Sequence, residues 1–221
     1  MKHFTQNFID FFSELEKNNN KEWFDINRKT YELEVKKPFY DFATNMILAI
    51  SQFDNSVDKD PKKAIFRINR DIRFAKDKTP YNTDVRAAFV NGGRKSSFPG
   101  YYISIGSDKI HVGGGLYAIE KDNLESLRNY ILDNQMEFYD LINDKEFKSV
   151  FGEIQGEKNK KLKPEFKAIL NKNPLIANKQ FYFMTEISSK DFLLNENLIK
   201  ELIKMYKAGY SFNKFLSDAI A

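Results

Sequence analysis

Phe4, Phe8, Phe11, Phe12 and Leu15 recur at three- and four-residue intervals. That is the spacing of one helix face, and it predicts an amphipathic helix over residues 4–17. Three asparagines end it, and the last of them, Asn20, is placed to cap a second helix over 21–37. Pro38 kinks that helix or opens a third, whose stripe is Phe39, Phe42, Met46, Ile50 and Phe53. Past the loop DNSVDKDPK the period shortens to two. Ile103 and Ile105 alternate with Ser104 and Gly106, and Ile110 and Val112 bracket His111, with the turn GSDK between them. This predicts a β-hairpin. RAAFV is a neighbouring strand across the loop NGGRKSSFPG, and the short connections leave no room for a helical crossover, so the sheet is antiparallel. Helices return over 121–133, 135–142, 144–150 and 164–171. QFYFMTEIS is a last strand, and helices over 195–207 and 211–220 close the chain. The fold class is α+β, a mainly antiparallel sheet flanked by N- and C-terminal helices. One domain spans 1–221: helical over 1–55, sheet-rich over 62–117, helical with one late strand over 118–221.

The stretch IFRINRDIRFAKDKTPYN, residues 65–82, carries the most unusual pattern. Arg67, Arg70, Arg73 and Lys76 recur every third residue between Phe66, Ile68, Ile72 and Phe74. A helix would set the cations along one drifting ridge. A strand puts the four apolar residues on one face, and their β-branched and aromatic character favours it. The strand reading leaves Arg70 pointing into the apolar face, where an unpaired cation is costly. A bulge, a carboxylate or a bound anion must then accommodate it. Asp71 is the local neutraliser of Arg67 and Arg73.

Charge sharpens this picture. The whole chain carries +4, too little to argue for nucleic acid. Residues 62–95, however, hold ten basic and three acidic side chains. The basicity is concentrated where the arginines lie. The 221 residues contain no cysteine, which excludes disulfides, thiolate nucleophiles and cysteine-ligated metals. No HExxH or EF-hand spacing occurs, so no metal site is expected. The N-terminal stretch is broken by Gln6, Asn7 and Asp10 and lacks a signal-peptide core, and no apolar run approaches a membrane span. A soluble, cytoplasmic protein is the expectation.

Arg67, Arg70, Arg73, Lys76 and Lys78 are the candidate ligand-binding residues, because guanidinium forks match carboxylate and phosphate oxygens. Gly113, Gly114 and Gly115 are candidates for close backbone approach or an anion nest, against a bulge or turn at a strand end. They have neither P-loop nor dinucleotide-fingerprint context. His111 and Tyr81 are the candidates for moving a proton, against a structural role for each. Asn27, Arg28 and Tyr31 either sit on an ordinary helix or lean over the basic stretch. The cofactor is left open.

The blocks EWFDINRKTY, IFRINRDIRFAKDKTPYNT, PGYYISI, HVGGGLY and FKSVFG, in that order, resemble domain of unknown function family 2461, bacterial and fungal conserved hypothetical proteins. The resemblance runs from about Trp23 to Phe192. It implies no catalytic residues, since the family has no established activity. It also implies two departures: alanine at Ala75 in place of a serine, and Asn173-Pro174 in place of a His-Pro pair. A chemistry that used that histidine would be missing here.

Three functions follow. The first is binding of a small phosphate- or carboxylate-bearing ligand, with or without a reaction. The second is a structural or protein-interaction module whose arginines form internal ion pairs. The third, disfavoured by the mild charge, is a nucleic-acid binder using Tyr81, Phe98, Tyr101 and Tyr102.

Overall fold

The computed structural model describes residues 2–188 and 190–221. Helix α1 (Gln6–Lys17) turns Phe8, Ile9, Phe11, Phe12 and Leu15 inward, as the periodicity predicts. Asn20 caps α2 (Lys21–Ile26), its side chain accepting from the Trp23 N–H at 2.9 Å. The second predicted helix is then interrupted. A short α3 (Arg28–Thr30) passes into six residues of π-helix, Tyr31–Lys36, before α4 (Lys37–Ile50) begins. The Lys37 N–H reaches the carbonyl of Glu32, five residues back. Pro38 stands in the first turn of α4 and has no N–H to give, so the backbone ladder loses a donor where the wide turns end. Pro38 thus stands where a third helical segment opens, one of the two outcomes expected for it. Short α5 (Pro61–Ala64), capped by Asp60, follows the predicted loop.

Four strands form one antiparallel sheet in chain order: β1 (Val85–Val90), β2 (Gly100–Ile105), β3 (Ile110–Leu116) and β4 (Phe181–Ile187). Ala87, Ile103 and Val112 are aligned across the first three strands on the face that carries the helices, and all are fully buried. The opposite face holds an unbroken polar row, Arg86–Ser104–His111–Glu186, one residue from each strand in register.

Residues 65–74 are not the strand that the alternation predicts. The segment makes only two isolated bridges, Ile65 to Ala87 and Asn69 to Tyr81, and between them the backbone is irregular. The expected apolar face is split accordingly. Ile68 is buried, whereas Phe74 is 95% exposed.

The remaining helices pack mostly as predicted: α6 (Lys121–Asp133), α7 (Gln135–Asn143), α8 (Lys145–Phe151) and α9 (Pro164–Ala168). A 3₁₀ turn, Pro174–Ala177, and α10 (Lys190–Leu193) have no clear periodicity and are not anticipated. The two predicted closing helices are one, α11 (Leu198–Asp218). Gly209 lies inside it, because a Cβ there would stand 2.4 Å from the Phe183 ring. The glycine is a packing position and not a break. Of the two apolar clusters, one gathers α1, α2, α4 and β1–β3; the other gathers α6–α9 and β4. Both rest on α11 and one face of the sheet. No helix among the described residues is long and apolar enough to cross a membrane.

Candidate functional site

The loop over 70–80 closes on itself. At its base the Arg70 N–H donates to Pro80 O at 2.9 Å, and the Asn82 N–H to Ile68 O at 2.8 Å. Asn19 clamps the same point from the α1–α2 linker, accepting from the Tyr81 N–H (3.1 Å) and donating to its carbonyl (2.9 Å). Arg70, the misfit of the strand reading, is held by Asp77 at 2.5 Å and by both the hydroxyl and the carbonyl of Thr79. Arg73 forms a two-pronged pair with Asp71, Nε to Oδ1 at 2.9 Å and Nη2 to Oδ2 at 2.7 Å. Lys78 caps the carbonyl of Ile72 at 2.9 Å. Lys76 is exposed on the loop and has no hydrogen-bonded partner among the described residues. Of the five predicted cations, three are thus already engaged within the loop.

Asp77 shows how tightly this loop is wired. The Thr79 N–H, the Arg70 guanidinium and the Thr79 hydroxyl together lower its pKa to about 2. A carboxyl depressed on folding contributes order that is complete above its unfolded value, near 4, and lost as pH falls through the folded one. Amide exchange at Thr79 should accelerate as pH falls from about 4 to 2, beyond the intrinsic pH trend. Asp77→Asn should abolish that excess. An unchanged profile in the variant would dissociate the loop from this carboxylate.

The fifth cation, Arg67, faces elsewhere. Its side chain lines a groove of about 510 Å³ between residues 62–69 and the helical wall of α2, the π-helix and α4. Lys62 and Arg94 line it from the same side as Arg67, and Arg28 and Lys36 from the helical wall. The two on the helical wall are neutralised, Arg28 by Asp25 at 2.5 Å and Lys36 by Glu32 at 2.8 Å. The other three are not. Arg94 spends Nη1 on the carbonyls of Lys62 and Lys63, at 2.9 and 3.0 Å, which orients it without cancelling its charge. The Lys62 and Arg67 side chains have neither a hydrogen bond nor an ion pair among the described residues.

Aromatic rings complete the lining. Phe24 and Tyr81 stack at 4.0 Å and 15°, and Tyr31, Tyr40 and Phe66 open onto the same space. Burial raises the phenol pKa of Tyr31 to about 12, and burial with the nearby Asp25 raises that of Tyr81. Both therefore stay protonated donors at neutral pH. The volume lies within the range of sites for small ligands, roughly 300–1,000 Å³.

His111 does not line the groove. It stands on the polar face of the sheet, its Nε2 3.3 Å from Glu186, whose other neighbour Lys109 is at 3.2 Å. Gly113, Gly114 and Gly115 are also elsewhere. They lie within β3, in register with β2 on one side and β4 on the other, so their backbones serve the sheet rather than a nest. A Cβ on Gly114 would meet Gly100 O at 2.4 Å and the Phe183 ring at 2.7 Å. Of the predicted site, the structure brings together Arg67 and Tyr81, with Arg28 and Tyr31 beside them. Asn27 is turned back to the Trp23 carbonyl. Lys36, Lys62 and Arg94 were missed, although Lys62 and Arg94 lie in the basic segment that flags the region. Two of the four rings proposed for base stacking are otherwise engaged. Tyr81 is stacked on Phe24, and Tyr101 is buried with its hydroxyl on Asp54 at 2.9 Å.

Comparison with known proteins adds one positive finding. Residues 7–215 match the model of a family described as conserved hypothetical protein (DUF2461). No curated protein matches the sequence.

Proposed function

The chain belongs to the conserved hypothetical protein family DUF2461, and from that premise we propose that it binds a small organic anion in the groove beside Arg67. The observation that carries this reading is the uncompensated wall. Lys62, Arg67 and Arg94 line one cavity, and among the described residues no carboxylate lies within ion-pair distance of any of them; Asp71 feels Arg67 only at longer range. Surface cations are ordinarily solvated, so three of them on the rim of a partly apolar cleft favour a ligand of opposite sign. The aromatic walls favour one with an apolar body. The structural reading explains a different part of the molecule: Arg70 and Arg73 are consumed by Asp77 and Asp71 inside their own loop.

A thermal-shift series with phosphorylated compounds and dicarboxylates tests the proposal, with Arg67→Met in parallel. A ligand at a hundred times its Kd should add about 2.7 kcal/mol. That corresponds to a rise of roughly 5–10 °C. The variant should fold normally, because the Arg67 side chain is exposed and unpaired, and should lose the shift. Equal shifts in both proteins would remove Arg67 from the site, and no shift with any anion would favour the structural reading.

A further inference from the structure

We propose that the groove is built for a phosphomonoester carrying a planar ring with N–H donors, of the size and chemistry of a nucleoside 5′-monophosphate. This rests on the anion-binding reading above and narrows it to one class.

Charge is the first argument. A monocarboxylate would cancel one of the three free positive charges, whereas a phosphomonoester brings about −1.5 to −2 at pH 7 and three acceptor oxygens. Guanidinium forks match those oxygens in pairs. Arg94 is half committed to the wall through Nη1, which fixes its plane, and its Nε and Nη2 have no protein acceptor among the described residues. Lys62 and Arg67 keep every side-chain donor. The donors available outnumber what one carboxylate can accept.

The apolar lining is the second. Phe66 is 37% exposed on the groove, with the Arg94 guanidinium 6.0 Å from its ring centroid. The guanidinium stands over the ring, so a ligand anchored on Arg94 lies next to the aromatic face that this cation leaves exposed. Stacking of a ring on such a face is worth about 1–3 kcal/mol per base, or roughly 5- to 150-fold in affinity.

The third argument is the one carboxylate that lines the groove among the described residues. Glu32 belongs to the π-helix, on the helical wall and not among the three free cations. Short π-helical insertions frequently mark functional sites. A carboxylate would repel a ligand that is anionic throughout. Lys36 occupies only part of its acceptor capacity. Glu32 is thus set to accept from ring N–H groups at the end of the ligand away from the phosphate.

The experiment is isothermal titration of the full chain with the four common nucleoside 5′-monophosphates, the four nucleosides, inorganic phosphate and succinate. At least one nucleotide should bind about 10- to 100-fold more tightly than phosphate and than its own nucleoside. Phe66→Leu keeps the apolar volume and loses the ring. It should weaken nucleotide binding roughly 5- to 150-fold and phosphate binding by a clearly smaller factor, and equal losses for both would overturn the stacking argument. Glu32→Gln should change the ranking among the bases. Succinate binding as tightly as any nucleotide, and weakened by Arg67→Met, would leave the anion groove standing and overturn this refinement. A nucleoside as tight as its nucleotide would overturn it as well, and no binding of any anion would overturn both.

Discussion

Gly115→Ala is expected to destabilise the protein by about 3–5 kcal/mol, more than Gly152→Ala, which costs about 1–3. Both glycines have positive φ, 95° and 73°, so both substitutions incur the left-handed penalty of an L-residue. Their surroundings differ. A Cβ on Gly115 would stand 2.3 Å from Phe181 O and 2.7 Å from the Tyr182 Cα, both main-chain atoms of the adjoining strand. Nothing lies within 4 Å of the same position on Gly152. Backbone cannot swing aside as a side chain can, so β3 and β4 must separate locally. Urea unfolding of the two variants is the check, and the larger cost should lower the Tm by roughly 6–20 °C. Similar losses at the two sites would mean that the sheet tolerates the extra carbon and that only φ matters.

Arg128→Lys is expected to cost nearly as much as Arg128→Met, about 3–4 kcal/mol each. Arg128 on α6 is buried, and its Nε donates to Ile176 O at 2.9 Å and its Nη2 to Asn178 O at 3.0 Å. Its guanidinium lies 5.7 Å from the Phe166 centroid. No carboxylate lies within ion-pair distance among the described residues; burial lowers its pKa, and Glu125 acts only at longer range in the opposite sense. Replacing a buried ion pair with apolar groups is sometimes harmless, because both charges leave together. Here the acceptors remain. Two carbonyls at the end of the 3₁₀ turn would stay buried without donors, at about 1–3 kcal/mol each. A lysine puts one point charge where a planar fork spans both. The measurement is chemical denaturation of both variants, and a lysine variant within about 1 kcal/mol of the parent would show that charge alone suffices.

Much of the fold is legible in the sequence because periodicity reports burial on one face. The stripes of α1 and α4 and the alternation in β2 and β3 each reflect a single buried surface. The same logic fails for residues 65–74. Ile68 enters the core while Phe74 projects from a loop tip, and alternation cannot tell a strand from an extended segment with one anchored residue. It also fails over 208–210, where two helices were expected and one runs through, because the Phe183 ring requires an absent side chain at Gly209. The groove was half legible. Concentrated charge pointed to its neighbourhood, but which arginines were free depended on Asp71 and Asp77 folding back within the loop. The helical wall lay outside the charged segment altogether, and its π-helix carries no periodic signal to announce it.

The sheet ends in two strands that could each accept a further one. On the outer side of β1, Phe66 donates to Arg86 O at 2.9 Å; outside β4, Gln155 exchanges main-chain bonds with Tyr182 and adds a side-chain bond to Met184 O at 3.0 Å. Each guard is only one or two residues long. Such short covers block edge-to-edge growth between molecules while leaving the guarding segments free to vary in sequence. Loss of the Gln155 guard would leave a folded chain whose liability is self-association, with aggregation rising in concentration dependence well before any change in the melting of the helices.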